Sequence, residues 1–264
     1  MKLPATKLLN LFHWTLLVAF GGTAALEIFL SQPSPNLEAI IILLAATASI
    51  TTLARQLPLQ SVLFAALITA LIGGAAHTLS AQWDIAIPFG PVGFTPAAGP
   101  QLFGPVPWLV PLLWVIAIFN SRGVARLVLR PWRKVKNYGY RLLGLSAALA
   151  VAFDFALEPF ATGAKHLWRW QPTKIPFTWY GASPMNFLGW AAVALLILAF
   201  ILPYLIRKQP GKSSPPDFAP LILWLGAVVV FAAGAVATGL WLAVVVDVAL
   251  AGTVAVFAWR GVKW

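Results

Sequence analysis

The chain has 264 residues, of which 60% are hydrophobic and only 9% charged, and its formal net charge is +11. In a soluble protein that charge would point to nucleic acid; this composition belongs instead to polytopic helical membrane proteins. The absence of cysteine excludes disulfides, thiolate metal sites and iron–sulfur clusters, and the continuous apolar runs argue against an outer-membrane barrel.

A helix needs about 20 apolar residues to cross a bilayer. Eight such runs lie near 9–30, 37–54, 59–80, 108–129, 140–160, 185–206, 219–236 and 240–258, separated by polar, Pro or Gly breaks. The sequence therefore predicts an all-α, polytopic transmembrane helical bundle of about eight spans, forming one integral membrane domain over residues 1–264. Assigning the 18 Lys and Arg to their nearest connections puts fifteen on one set of alternate segments and three on the other. The positive-inside rule then predicts that both termini are cytoplasmic, in a bacterial or archaeal plasma (inner) membrane. The basic run from Arg122 to Arg141 is the strongest anchor, with Arg122, Arg126 and Arg130 on one helix face. Its expected partners are anionic lipid headgroups, with no nucleic-acid role. The first run lacks a small-residue cleavage site and reads as a retained helix.

In the first helix, Glu27 lies near the outer end, where snorkelling to the headgroups is the ordinary role of such a residue. The third helix ends near His77. Asp84 follows, then a Gly- and Pro-rich stretch from Pro88 to Pro107 that excludes regular helix and a central strand. Being apolar and free of basic residues, it reads as an interfacial loop or a protein-covered re-entrant segment.

The fifth helix ends at Asp154 and Glu158, whose spacing puts both carboxyls on one face. Pro159 biases Glu158 away from helical angles, so the last turn is expected to open. Desolvation and the negative end of the helix dipole favour a protonated acid there, the state a general acid needs. The competing structural role is pairing with Lys165, Arg169 or Lys174 in the following link. Ser183 is placed as an N-cap of the sixth helix with Pro184 at its first position, which puts Asn186 in the first turn as either a capping residue or an inward-facing amide. Asp247 sits about 10 Å along the last helix from its outer end. Glu27, His77, Asp84, Asp154, Glu158, Asn186 and Asp247 thus fall in or near the outer half, beside Trp168, Trp170, Trp179 and Tyr180.

Three histidines without helix-face ligand spacing predict no protein-bound metal. No phosphate-binding glycine loop or dinucleotide fingerprint occurs, so any chemistry should be acid–base work on an apolar substrate.

Three blocks carry a family resemblance: Pro88-Phe89-Gly90 with the following loop, Gly104 to Trp114, and Asp154 to Trp190, the last including Glu158-Pro159, Trp168-Arg169-Trp170, Tyr180-Gly181 and Asn186-Phe187-Leu188-Gly189-Trp190. At these positions the chain resembles the carotenoid-biosynthesis integral membrane proteins that include the CruF-type carotenoid 1,2-hydratases and the bisanhydrobacterioruberin hydratases. It departs from them at Val92 and Phe94, where tyrosines are usual, and at His77, near which those proteins tend to carry an acid. The resemblance implies a hydro-lyase that adds water, without a cofactor, to a terminal double bond of an acyclic carotenoid. Asp154 or Glu158 would donate the proton, and the second carboxylate with Asn186 would orient water. Trp168, Trp170 or Tyr180 would stabilise the cation, with Glu27, Asp84 and Asp247 in reserve. The alternatives are a non-enzymatic carotenoid-binding or assembly protein, and a cyclase or isomerase using the same protonation step.

Overall fold

The computed structural model describes residues 5–30, 35–82, 86–205 and 215–263. Among the described residues, eight helices are long and apolar enough to cross a membrane: α1 (Ala5–Phe29), α2 (Pro35–Ala54), α3 (Leu59–Ala81), α4 (Leu109–Val128), α5 (Tyr138–Glu158), α6 (Pro184–Ile201), α7 (Ala219–Ala237) and α8 (Trp241–Val262). The protein is an integral membrane protein with an all-α bundle, and the eight apolar runs of the sequence each form one helix.

Helix α4 is the centre of the bundle, because seventeen of its twenty residues are buried. Small residues let its neighbours approach closely. A side chain on Gly73 of α3 would collide with the Trp114 ring, and one on Gly123 with Pro220 of α7. Without that clash, the Trp114 indole lies flat against Trp190 of α6, with centroids 3.8 Å apart, which fixes α6 against α4. The outermost helix is α8, where only Ala243, Asp247, Val254, Ala258 and Gly261 are buried and Val245, Val248 and Trp259 are exposed. That apolar surface is what lipid requires of an outer helix.

The polar contacts separate the two ends of the bundle. At one end, Arg55, just past α2, donates to Asn10 of α1 at 2.8 Å, and Gln56 donates to Asp217 before α7 at 2.7 Å. Arg122 belongs to this end but not to a headgroup face as expected. It is buried within the bundle, and its Nη2 donates to the Leu205 carbonyl, at the end of the short helical turn Leu202–Leu205 that follows α6, 2.7 Å away. A helix C-terminus leaves carbonyls without partners, and a guanidinium is well suited to take one.

At the opposite end, the stretch from Pro88 to Pro107 is neither plain loop nor helix. It supplies β1 (Val92–Phe94), a short helical turn at Pro96–Ala98, and β2 (Gln101–Phe103) paired with β3 (Val106–Pro107). Strand β1 pairs antiparallel with β4 (Trp168–Trp170), Val92 facing Trp170 and Phe94 facing Trp168. This ribbon joins the α3–α4 connection to the α5–α6 connection. The last turn of α5 does not open at Pro159 either. Glu158 keeps helical angles (φ −56°, ψ −50°), and the chain continues as a π-helical turn over Pro159–Ala164.

Candidate active site

Proline has no backbone N–H, so Pro159 leaves the Phe155 carbonyl without its helical donor. The indole of Trp179 takes that role, its Nε1 donating to the Phe155 oxygen at 2.9 Å, while its ring stacks on Phe155 at 4.5 Å. Thr162, within the π-helical turn, donates to the carbonyls of Glu158 and Tyr180 at 2.7 and 3.1 Å. The helix end is thereby held, and with it the direction of the two acids.

Asp154 and Glu158 are both 1% exposed and share a face of α5, as their spacing requires. Asn186, in the first turn of α6, turns inward and bridges them. Its Nδ2 donates to Asp154 Oδ2 at 2.6 Å and to Glu158 Oε1 at 3.2 Å. Asn186 Oδ1 is buried and has no hydrogen-bond partner among the described residues. The capping role foreseen for Asn186 is therefore not the one it plays. Ser183 stands at the N-cap position, but its hydroxyl makes no capping bond, and Pro184 fills the first helical position.

Strand β4 completes the cluster. Alternation along a strand turns Trp168 and Trp170 to one face and Arg169 to the other. Both indoles reach Glu158 Oε2, Trp170 at 2.8 Å and Trp168 at 3.2 Å, while Arg169 is exposed. Among the described residues, Glu158 thus accepts three N–H groups, whereas Asp154 accepts the single bond from Asn186.

The ion pairs found among the described residues do not include either acid of this pair. Lys165, one of the foreseen partners, lies between Glu27 and Glu38 instead, 2.7 Å from Glu38. Glu27 is committed to that pair and does not snorkel alone, and Glu38 is an acid the sequence reading passed over. Tyr180 packs edge-on against Trp179 with centroids 4.9 Å apart, at one remove from the carboxyls. Asp247 is buried on α8, with neither oxygen hydrogen-bonded among the described residues. Asp84 lies outside the described residues. No three His, Asp or Glu side chains among the described residues come together as a metal site.

His77 is the group the sequence undervalued. Its ring stacks on Phe89 at 4.3 Å, with Phe94, Trp114 and Trp190 at 6.1, 6.2 and 6.5 Å, and its Nδ1 has no partner among the described residues. Phe94 in turn meets Trp168 edge-on at 6.2 Å. A continuous aromatic wall therefore runs from His77 to the carboxyl pair. All of its members but His77 come from the three sequence blocks, and that shared origin was the available signal.

A buried acid pair bridged by an amide, beside aromatic rings and without a neutralising cation in view, can deliver and recover a proton in a water-poor setting. Among known proteins, the family model described as carotenoid biosynthesis protein matches residues 37–254, most of the chain and all of this cluster. No curated protein and no solved structure matches the chain.

Proposed function

The chain belongs to the carotenoid biosynthesis protein family, and from that premise we propose that it catalyses cofactor-free, acid-catalysed addition of water to a terminal carbon–carbon double bond of an acyclic carotenoid. The observation that supports this reading best is the Asn186 amide held between Asp154 and Glu158.

Two negative charges at this depth, without a cation, would be costly, so the pair holds one proton. Hydrogen bonds to the charged form favour it, and Glu158 accepts three of them against one for Asp154. The proton therefore resides on Asp154, which acts as general acid. It passes to the less substituted alkene carbon, the π pair forms the new C–H bond, and a tertiary carbocation remains. The negative charge of Glu158 lies close by, and the aromatic rings around the pair offer their faces to the cation. Water adds to the cationic carbon, oriented by Asn186 Oδ1. Glu158 takes the proton released, and its return to Asp154 across the pair resets the site.

In this reading the substrate is an apolar isoprenoid lying among the membrane lipids. The acid end faces outward, with both termini in the cytoplasm of a plasma membrane. The test is expression in a lycopene-producing bacterium, followed by mass spectrometry of the pigments. A product heavier by one water is expected. A pigment of unchanged mass but altered absorption would replace hydration by cyclisation or isomerisation, and unchanged pigment beside confirmed protein would point to a binding role.

A further inference from the structure

Leu157 and Phe160 flank Glu158 in sequence, yet they line a separate cavity of about 300 Å3 to which neither acid of the pair contributes. Ile41 and Ile42 of α2, Leu113 of α4 and Phe231 of α7 add apolar walls, and the turn at residues 96–100 contributes as well. The lining contains a single charged side chain, Glu38. A second cavity of about 290 Å3 adjoins it, since Phe160 and Val230 line both, and here the charged lining groups are Glu27 and Lys165. The Glu27–Lys165–Glu38 triplet thus spans the two chambers, Glu38 lining the first and Glu27 with Lys165 the second, and its side chains are only 8–16% exposed.

Two carboxylates share one ammonium in this triplet, so it carries an uncompensated negative charge. An ammonium offers three donors, whereas two carboxylates offer on the order of eight acceptor sites, so accepting capacity stays in excess. That excess borders chambers whose other lining side chains are apolar but for Thr238 and the Trp108 indole. A ligand with a carboxylate or phosphate end would be repelled, and a plain hydrocarbon would leave the acceptors desolvated and unpaired. An apolar chain that ends in a hydroxyl satisfies both surfaces.

We propose that this two-chambered cavity is a binding site, separate from the acid pair, for a hydroxyl-ended isoprenoid whose hydroxyl donates to Glu38 and whose chain lies along Leu113, Phe160 and Phe231. The isoprenoid class rests on the function proposed above, while the hydroxyl end rests on the triplet alone.

The experiment is native mass spectrometry of the full chain released from detergent micelles, with farnesol and its saturated hydrocarbon counterpart farnesane as probes. A hydrogen bond to a charged acceptor predicts farnesol retained about tenfold more tightly than farnesane. Glu38→Gln should remove most of that preference. Ala39→Phe, which fills the α2 side of the chamber, should weaken both probes. Asp154→Asn should bind farnesol as the wild type does, so the binding site and the enzymatic reading fail independently. Equal retention of farnesol and farnesane by the wild type would overturn the proposal. So would unchanged farnesol binding by Ala39→Phe, or stronger retention of phosphatidylethanolamine or oleic acid than of farnesol. If Glu38→Gln does not fold, the wild-type comparison and Ala39→Phe still decide.

Discussion

A methyl group placed on Gly189 would lie 2.5 Å from the carbonyl oxygen of Pro88. The backbone of α6 thus rests directly on the Pro88–Phe89 turn, one helical step beyond Asn186. Gly189→Ala should push the two apart, with an overpacking cost of about 1–3 kcal/mol, and should misplace the Asn186 amide. Thermal unfolding in detergent and pigment conversion should both fall; a variant matching the wild type in both would show that this contact positions nothing.

Asn186 gives each carboxyl a donor. Asn186→Ala should lower pigment hydration by about 100-fold or more while the protein still accumulates in the membrane, since general acid–base help of this kind is worth about 100- to 10,000-fold. Conversion within a few-fold of the wild type would remove Asn186 from the reaction.

Asp154→Asn and Glu158→Gln each keep the shape of the site and remove one acid, so each should abolish hydration at unchanged protein level. Full activity in both variants would sink the assignment of the pair. Trp170→Phe is the graded case. It removes the 2.8 Å donor to Glu158 and should cost about tenfold in conversion. Replacing Arg169, which is exposed on the other face of the same strand, should cost little.

Lys165 ties α1 and α2 to the turn that follows α5. Burial works to lower its pKa, but its bonds to Glu27 and Glu38 and their charges outweigh that, and the net direction is upward from 10.5. Because the folded value exceeds the unfolded one, this stabilisation is fully present below 10.5 and lost only as pH rises through the folded value. Lys165→Met should lower stability by about 1–3 kcal/mol, and adding Glu38→Gln should restore part of it. The melting-temperature gap to the wild type should stay flat from roughly pH 6 to 9 and shrink only at more alkaline pH. A gap that closes near neutral pH would contradict the triplet.

The eight helices were legible because each writes a long local run of apolar residues. The shared face of Asp154 and Glu158 was legible for the same reason, since i and i+4 neighbours need only helix geometry. Partners distant in sequence were not. Nothing near Trp168 shows that it will pair with Phe94, and Lys165 carries no mark that distinguishes Glu27 and Glu38 from the nearer Glu158. Pro159 was misread because its local bias away from helix is overridden once Trp179 supplies the donor that Phe155 lacks. His77 was placed near the outer end but given no aromatic partners, because a wall assembled from distant stretches of the chain has no local periodicity.

The β1–β4 ribbon sets an order of events during synthesis. Its first strand is made before α4, and its second only after α5, so β1 must wait for two further spans before it finds its partner. Asn186 arrives later still, with α6. The carboxyl pair of the nascent chain therefore gains its indole donors only once five helices have been made and its amide donor only with the sixth, and a chain truncated before α6 would carry both acids into the membrane without the amide that bridges them.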